Sequence, residues 1–228
     1  MRIAIAQINC TVGDLTGNAK KILDYTNQAK NKGSSLVVTP ELALSGCPPE
    51  DILLRDGFRQ ACIKTLDNLV KKINGISLLL GHPYFINNHI YNAASLICNG
   101  KIVATYFKND LLSDHVFQEP RYFEAGLDSF IFSVEGIKFG VNISTDIWKE
   151  TNVVSAKEEG AEVLILLCAS PYHPNKQAIF QKLVCQRAHE IGIAIICVNL
   201  VGGQDELIFD GASFVTNNKG ELANQFDE

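Results

Sequence analysis

The hydrophobic positions of this chain recur with two different spacings, and the changes between them mark the structural elements. Short apolar runs at residues 2–7, 35–38 and 76–81 have the length and the β-branched content of strands. Between these runs, apolar residues recur every three to four positions over residues 17–32 and 56–73, which predicts two amphipathic helices. The first third of the chain therefore alternates strands with helices.

The middle of the chain changes from helical spacing to paired strands. Residues 91–98 and 102–107 flank Asn99-Gly100, and Asn-Gly between two alternating runs is the strongest short signal for a β-hairpin. Further hairpins are predicted by the turn sequences Glu135-Gly136 and 217–220, with strands at 130–132, 138–143 and 214–216. Antiparallel pairs thus interrupt the alternation of strands and helices.

The remaining segments return to that alternation. Helices are predicted at residues 150–159 and 177–191, and buried strands at Val163–Leu167 and 194–200. This arrangement is typical of the α/β or α+β class, in which helices cover mixed sheets, and the length allows two such layers to pack together. We expect one domain over residues 1–228. We also expect it to be truncated from a larger protein, because the returning strand of the last predicted hairpin has only begun where the sequence stops.

Composition narrows the possible partners and location. With 46% apolar residues, 20% charged residues and a net charge of -5, the chain has no basic footprint for nucleic acid. Its longest apolar run, residues 191–201, is shorter than the roughly 20 residues that a membrane helix needs. The seven cysteines are odd in number and scattered, which indicates reduced, buried side chains. We therefore expect a cytoplasmic protein that binds neither nucleic acid nor a membrane.

Three predicted strands end close to residues of catalytic type. Glu41, Lys108 and Ser144 each come shortly after such a strand. A base, a cation and a nucleophile that meet at strand ends suit acyl transfer from an amide, because the base deprotonates the nucleophile and the cation stabilises the tetrahedral oxyanion. Each residue also has a structural alternative: Glu41 as a helix cap, Lys108 as a solvated strand end, and Ser144 as a partner for neighbouring backbone.

Motifs along the whole chain change the balance between these alternatives. They are IAIAQINCTVGDLTGNAKKI, TPELALSGCPPEDILLR, KNDLLSDHVFQEPRYFEAG, FGVNISTDIW, SPYHPNK and VNLVGGQDELIFDGASF. With them, the chain resembles the nitrilase superfamily and, within it, the glutamine amidase domain of glutamine-dependent NAD synthetases. The resemblance implies a four-layer αββα sandwich with Glu41 as general base, Lys108 as the oxyanion-stabilising lysine and Glu119 as a second glutamate of the pocket. It also implies a cysteine nucleophile at position 144.

Position 144 departs from the motif of the family. The pattern I-C-E-D-x-W is ISTDIW here, so that Ser144 replaces the cysteine and Thr145 replaces a glutamate. A thiol with a pKa of ~8.5 is partly ionised near neutral pH, whereas a serine hydroxyl is far harder to deprotonate. Serine hydrolases meet this difficulty with a histidine base. The nearby histidine, His115, lies in the loop after Lys108, and nothing in the sequence places it beside Ser144.

The residues that the resemblance assigns to substrate binding are also partly changed. They are Asp114, Thr145, Trp148, Ser170 and Lys176. Thr145 stands where a glutamate is expected to hold the α-amino group of glutamine, Asp114 stands where a tyrosine is expected, and Cys47 replaces another tyrosine. One engineered cysteine-to-serine exchange would not explain Thr145 and Asp114 as well. We therefore hypothesise a naturally degenerate amidase domain.

Three functions remain open from the sequence. In the first, the domain hydrolyses glutamine and delivers ammonia to an NAD synthetase domain or chain. In the second, it is catalytically silent and docks on an ammonia-using synthetase through residues 202–211 (GGQDELIFDG), a loop that begins at Gly202 and ends at Gly211. Without the resemblance, this segment is better explained as a plain glycine-rich turn with solvated acids; with the resemblance, we prefer the docking loop. In the third, the domain hydrolyses another small amide or a nitrile.

No cofactor is expected in this domain. The sequence contains no ATP-binding glycine loop of the synthetase type, so ATP and Mg²⁺ are expected only in a synthetase domain that these residues lack. The five histidines show no ligand spacing with the cysteines, and no metal site is predicted. Members of the superfamily commonly assemble, so the resemblance also implies a homo-oligomer.

Overall fold

The computed structural model describes residues 1–114 and 117–226. Within them the strands are β1 (Ile3–Ile5), β2 (Leu36–Val38), β3 (Ser77–Ile86), β4 (His89–Cys98), β5 (Lys101–Phe107), β6 (Ile131–Val134), β7 (Ile137–Ile143), β8 (Val163–Leu167), β9 (Ala194–Val198), β10 (Val201–Gln204), β11 (Leu207–Asp210), β12 (Phe214–Thr216) and β13 (Leu222–Gln225). The α-helices are α1 (Leu15–Asn31), α2 (Asp56–Val70), α3 (Glu150–Glu158) and α4 (Lys176–Ile191). Short 3-10 helices lie at Glu50–Leu54, Glu119–Arg121 and Ser144–Trp148.

The first sheet has the strand order β1-β2-β3-β4-β5. Its first three strands are parallel, and β3, β4 and β5 pair in antiparallel fashion. α1 and α2 cover the outer face, where Ile22 and Leu66 share a buried apolar cluster with Leu78 of β3. α1 begins after Asp14, whose carboxylate accepts a hydrogen bond from the Gly17 amide at 2.9 Å and so satisfies one free donor of the first turn.

The second sheet has the strand order β13-β12-β9-β8-β7-β6. β7, β8 and β9 are parallel, while β6, β12 and β13 pair with their neighbours in antiparallel fashion. α3 and α4 cover the outer face, where Val153 and Val184 share a second apolar cluster with Leu164 and Ile195. Each sheet is therefore shielded from water on one face by a pair of helices.

The inner faces of the two sheets pack against each other. Val38 and Leu79 of the first sheet share a buried cluster with Phe139, Ile165 and Val198 of the second. Full burial of such a side chain contributes roughly 1.5–3 kcal/mol relative to leaving it exposed. The layers are thus helix, sheet, sheet and helix, which confirms the predicted αββα sandwich.

The predicted hairpins form at their turn sequences. Asn99 and Gly100 have φ angles of 47° and 75°, and Glu135 and Gly136 have φ angles of 50° and 82°. Positive φ at both central residues is the type I′ geometry, which matches the twist of the flanking strands. The third predicted turn, at residues 217–220, joins β12 to β13.

β3 is longer than the sequence predicts. A strand over residues 76–81 is expected to stop before Pro83, but β3 continues to Ile86 and forms a tight hairpin with β4. β2 pairs with β3 only as far as Leu79, so the later part of β3 has a strand on one side only. Proline has no amide hydrogen to donate to a neighbouring strand. Pro83 is tolerated there because no strand on the open side of β3 needs that hydrogen bond.

Residues 202–211 belong to a β-hairpin and not to the predicted loop. β10 and β11 pair over these residues, with Asp205 at a φ of 51° in the turn. The side chain of Gln204 accepts a hydrogen bond from the Val12 amide at 3.1 Å and anchors the hairpin to the domain. Glycine pairs and acids hide the strand alternation in this segment, which is why the pattern of apolar residues does not predict it.

All seven cysteines are free thiols, and five of them are buried. The other two, Cys98 and Cys185, are partly exposed. Across residues 1–114 and 117–226, every helix is too short or too polar to cross a membrane.

Candidate active site

The three catalytic-type residues lie at strand ends that face one pocket. Glu41 follows the end of β2, Lys108 follows β5 and Ser144 follows β7. The pocket is lined by Glu41, Cys47, Lys108, Leu112, Phe117, Glu119, Ser144 and Ala169. The two sheets therefore bring together the residues that the sequence predicts to meet, and Glu119 joins them from a 3-10 helix.

A lysine between two glutamates forms the floor of this pocket. Lys108 Nζ lies 2.7 Å from Glu41 Oε1, and 2.9 Å from Oε1 and 2.8 Å from Oε2 of Glu119. All three side chains are buried. Removing charges from water is expensive unless they are paired, and here each carboxylate contacts the same cation.

Asn92 of β4 completes the group, and the sequence analysis did not identify it. Its Nδ2 donates to Glu41 Oε1 at 2.8 Å and to Glu119 Oε1 at 3.1 Å. The backbone carbonyl of Asn92 accepts a hydrogen bond from the Lys108 amide at 2.9 Å. An amide side chain between apolar neighbours in β4 is the signal that could have identified it, because a buried amide needs hydrogen-bond partners. We call Glu41, Asn92, Lys108 and Glu119 the Lys108 cluster.

Backbone amides hold the two glutamates in place. Glu41 Oε2 accepts a hydrogen bond from the Ala169 amide at 3.1 Å, just beyond the end of β8. Glu119 Oε2 accepts from the Leu112 amide at 2.6 Å, and the Glu119 amide donates to the Leu112 carbonyl at 2.9 Å. The carboxylates thus tie the loop after Lys108 and the second sheet to the pocket.

Burial and pairing decide the protonation of the Lys108 cluster. Burial raises the pKa of Glu41, while the neighbouring Lys108 opposes that shift. Burial alone would lower the pKa of Lys108, but the charges of Glu41 and Glu119 outweigh it and raise that pKa above its usual value. Lys108 therefore remains an ammonium ion, which suits it to stabilise an oxyanion and excludes it as the base for a serine.

Ser144 lies in a strained turn between β7 and the 3-10 helix Ser144–Trp148. Its φ is 45°, in the left-handed region that costs non-glycine residues of order 1–3 kcal/mol. Strand-to-helix turns of this kind present nucleophiles at the ends of sheets in hydrolases. Among the described residues, none forms a hydrogen bond with the Ser144 hydroxyl. The position is that of a nucleophile, but no base in the described part of the chain is bonded to the hydroxyl.

The described histidines lie elsewhere. His82 is buried and bonded to Ser95 and Pro83, His89 contacts Glu124, His173 contacts Pro174, and His189 is exposed on α4. None of these histidines lines the pocket at Ser144. His115, the candidate base considered from the sequence, lies outside the described residues.

Two residues at the changed substrate positions make local hydrogen bonds. The hydroxyl of Thr145 donates to the Asp110 carbonyl. The exposed Asp114 carboxylate accepts from the Phe117 amide at 2.7 Å and closes a turn within the loop. Neither residue lines the pocket at Ser144. These bonds direct both side chains toward nearby backbone.

The other predicted substrate contacts are spread over a wider surface. Trp148 is 50% exposed, and its carbonyl accepts a hydrogen bond from Arg187 at 3.0 Å. Ser170 follows Ala169 and lines a second pocket near the start of α4. Lys176 is the exposed first residue of α4. The structure therefore brings Glu41, Lys108, Glu119 and Ser144 together without placing these three residues in their pocket.

The described part of the chain holds no group of three or more histidine, cysteine, aspartate or glutamate side chains arranged to bind a metal ion. The carboxylates of the Lys108 cluster are occupied by an ammonium ion, an amide and backbone donors. The chemistry that this pocket supports is therefore proton transfer and oxyanion stabilisation by side chains.

Comparison with known sequences identifies the family. The model of the family described as carbon-nitrogen hydrolase matches residues 2–228. A glutamine-dependent NAD(+) synthetase of Xylella fastidiosa is 40% identical over 225 residues, which are 97% of this chain and 41% of that protein. The enzyme of the same name from Thermotoga maritima is 38% identical over 230 residues, 98% of this chain and 39% of its own length. The chain thus spans about two fifths of these relatives.

Comparison with solved structures agrees with this result. A glutamine-dependent NAD+ synthetase from Acinetobacter baumannii, solved with ADP, superposes with a TM-score of 0.95 at 33% identity, over 99% of this chain and 43% of the other. A cysteine-to-serine variant of a Nesterenkonia amidase from the nitrilase superfamily superposes with a TM-score of 0.88 at 25% identity, over 100% of this chain and 87% of the other.

Proposed function

The chain belongs to the carbon-nitrogen hydrolase family, and from that premise we propose that it is the amidase-type domain of a glutamine-dependent NAD synthetase that has lost glutamine hydrolysis. The relatives that carry this name match almost the whole chain. The retained Lys108 cluster supports descent from an active amidase. The serine at position 144 supports the loss.

A single observation carries the proposal: Ser144 occupies the strained turn that faces the Lys108 cluster, and no base among residues 1–114 and 117–226 is bonded to its hydroxyl. Lys108 holds its proton because two carboxylates surround it. Among the described residues that line the pocket, Glu41 is the remaining base, and a carboxylate is a much weaker base than a serine alkoxide, so the alkoxide is scarcely formed. A thiol at the same position needs far less help.

We propose further that the domain retains a role as a docking module for a synthetase domain or chain, which would hold the ATP and Mg²⁺. The β10–β11 hairpin favours this second function. Ile208 is 62% exposed on it, next to Tyr172 at 52%, and the Tyr172 amide donates to the Ile208 carbonyl at 2.6 Å. We take this apolar pair, which lies beside the exposed acids Asp205 and Glu206, as the surface that would contact the synthetase.

The test is ammonia release from glutamine by the purified chain and three variants. Ser144→Ala is the matched control, because it removes only the hydroxyl. Ser144→Cys restores the thiol, and Ser144→Cys/Thr145→Glu also restores the acidic side chain of the family pattern. We expect the unmodified chain to match Ser144→Ala, and the double variant to exceed both by more than about a hundredfold.

The outcomes separate the hypotheses. Turnover by the unmodified chain that disappears in Ser144→Ala contradicts the loss of hydrolysis and makes Ser144 a true nucleophile. Turnover by Ser144→Cys alone indicates that only the nucleophile was lost. Absence of turnover in all variants, with an unchanged fold by circular dichroism, leaves docking as the function. Docking itself is tested by binding to a synthetase domain with and without Ile208→Asp.

A further inference from the structure

Asp146 is a buried carboxylate that binds two segments of the site from one position. It lies two residues after Ser144 and has no exposed surface. Its Oδ1 accepts hydrogen bonds from the Asn109 amide at 3.0 Å and the Asp110 amide at 2.7 Å. These two amides form the turn directly after Lys108. One oxygen of Asp146 therefore fixes the backbone that carries the ammonium ion.

The second oxygen of Asp146 fixes the backbone that carries residue 144. Its Oδ2 accepts from the Ile143 amide at 2.8 Å and from the Tyr106 hydroxyl at 2.7 Å. Ile143 is the last residue of β7, immediately before the strained turn at Ser144. Tyr106 belongs to β5, in the other sheet. The carboxylate thus connects the two sheets at the point where the reacting groups emerge.

We propose that Asp146 is a positioning residue, which sets the side chain at position 144 relative to Lys108. Asp146 does not line the pocket, so it acts through the backbone and touches no substrate. Burial raises the pKa of its carboxyl to about 6, against the effect of its hydrogen bonds. A buried carboxylate with donors on both oxygens is an expensive way to stabilise a fold, because apolar side chains do so at lower cost. What the carboxylate provides is geometry, because its four directional hydrogen bonds fix the backbone on both sides of it.

The inference rests on the proposed function only in taking position 144 as the site of the nucleophile. Its test needs no glutamine turnover. In the Ser144→Cys chain, the thiol at position 144 is alkylated with iodoacetamide, and peptide mass spectrometry distinguishes it from the natural cysteines. Asp146→Asn is then added. An amide keeps only one acceptor oxygen, so either the Lys108 turn or the Ile143 amide loses its partner.

We expect Asp146→Asn to slow alkylation at position 144 by about tenfold or more, because displacement by about 1 Å changes reactivity by up to a hundredfold. Thr216→Val is the matched control. Thr216 is also buried, and its hydroxyl accepts from the Ile195 amide at 3.1 Å at the opposite end of the second sheet. It should lower the melting temperature and leave the alkylation rate unchanged.

Two results from variants of the Asp146 contacts would overturn the inference, and a third would come from the control. One is a folded Asp146→Asn chain that is alkylated at the parent rate. The other is alkylation of the Tyr106→Phe chain at the same rate as the Ser144→Cys parent. That variant removes one of the four donors and should slow alkylation a few-fold, so it decides the question if Asp146→Asn does not fold. Loss of rate in Thr216→Val equal to that in Asp146→Asn would also contradict it, since any destabilisation would then suffice. Glutamine turnover by the unmodified chain would overturn the proposed function and leave this inference standing.

Discussion

Two polar networks lie within or beside the first sheet, and they differ in what they can do. The Lys108 cluster carries charges and opens to a pocket. The second network, which we call the His82 network, joins His82, Ser95 and Thr105 across β3, β4 and β5 and is neutral. His82 and Ser95 have no measurable exposure, while Thr105 is partly exposed. One network lines a pocket, and the other links three strands of the sheet.

The His82 network contains the pair of residue types that a serine hydrolase uses. His82 Nε2 lies 2.7 Å from Ser95 Oγ, and Nδ1 lies 3.0 Å from the Pro83 carbonyl. Because that carbonyl only accepts, Nδ1 carries the hydrogen and Nε2 accepts from the serine. Burial lowers the pKa of His82 to about 4 and keeps the ring neutral. A serine and histidine in contact thus serve structure here, while Ser144, which faces a pocket, contacts none of the four histidines that the structure describes.

Removal of the cation from the Lys108 cluster should give the largest effect. Lys108→Met leaves two buried carboxylates without their shared partner, and we expect it to lower the free energy of unfolding by about 3–5 kcal/mol at pH 7. The deficit should shrink as the pH falls toward 5, because protonation removes the unpaired charge. Urea unfolding at several pH values measures both effects.

Lys176→Met is the control for this prediction, because Lys176 is exposed and its loss should change the free energy of unfolding by less than about 0.5 kcal/mol. A loss below about 1 kcal/mol in Lys108→Met would show that the cluster contributes little to stability. The contrast with the neutral network would then fail.

The contribution of His82 to stability should have the opposite pH dependence. It should become unfavourable as the pH falls, whereas the stability deficit of Lys108→Met should shrink. The pKa of His82 is about 4 in the folded protein and ~6.5 in the unfolded chain, so acid protonates the unfolded state first. The protein should therefore lose about 2 kcal/mol of stability from this residue between pH 7 and pH 5. His82→Gln should lack that loss, while the exposed His189→Gln should retain it. Equal pH profiles for the protein and His82→Gln would contradict the buried neutral ring.

The smallest effect is expected at an exposed ion pair between residues that do not line the pocket. Lys149 Nζ lies 2.6 Å from Asp110 Oδ1, but 59% of its side chain is exposed. Exposed ion pairs are screened by water and salt, so Lys149→Ala should change the free energy of unfolding by less than about 0.5 kcal/mol. Thermal unfolding at low and high salt would reveal a larger contribution. Such a result would contradict the distinction between the buried Lys108 cluster, which contributes to stability, and the exposed Lys149–Asp110 pair, which does not.

The sequence predicts the layers and the strand-end residues because both depend on local patterns. Alternating apolar residues mark most strands, and Glu41, Lys108 and Ser144 follow directly from strand ends. Asn92 and Asp146 were not predicted as parts of the site, because their partners are distant along the chain. Asn92 and Glu41, for example, are 51 residues apart. Such contacts depend on strand order, which apolar spacing does not encode.

The surroundings of three further residues could not be predicted either, for a different reason. The resemblance to a family assigned substrate roles to Trp148, Ser170 and Lys176, but it carried no information on side-chain direction. The structure leaves Trp148 half exposed and Lys176 on the surface. The exposure of these side chains could therefore not be predicted, and their assignment to substrate binding stays a prediction.

The left-handed backbone at Ser144 also restricts how this position can change over generations. At a φ of 45°, β-branched and bulky residues are strongly disfavoured, so mutation is confined to small side chains unless the turn itself is rebuilt. Serine and cysteine are both small, so the turn can hold either side chain without being rebuilt. For as long as the turn and the Lys108 cluster are kept, exchange of the hydroxyl at position 144 for a thiol leaves the backbone of the site unchanged.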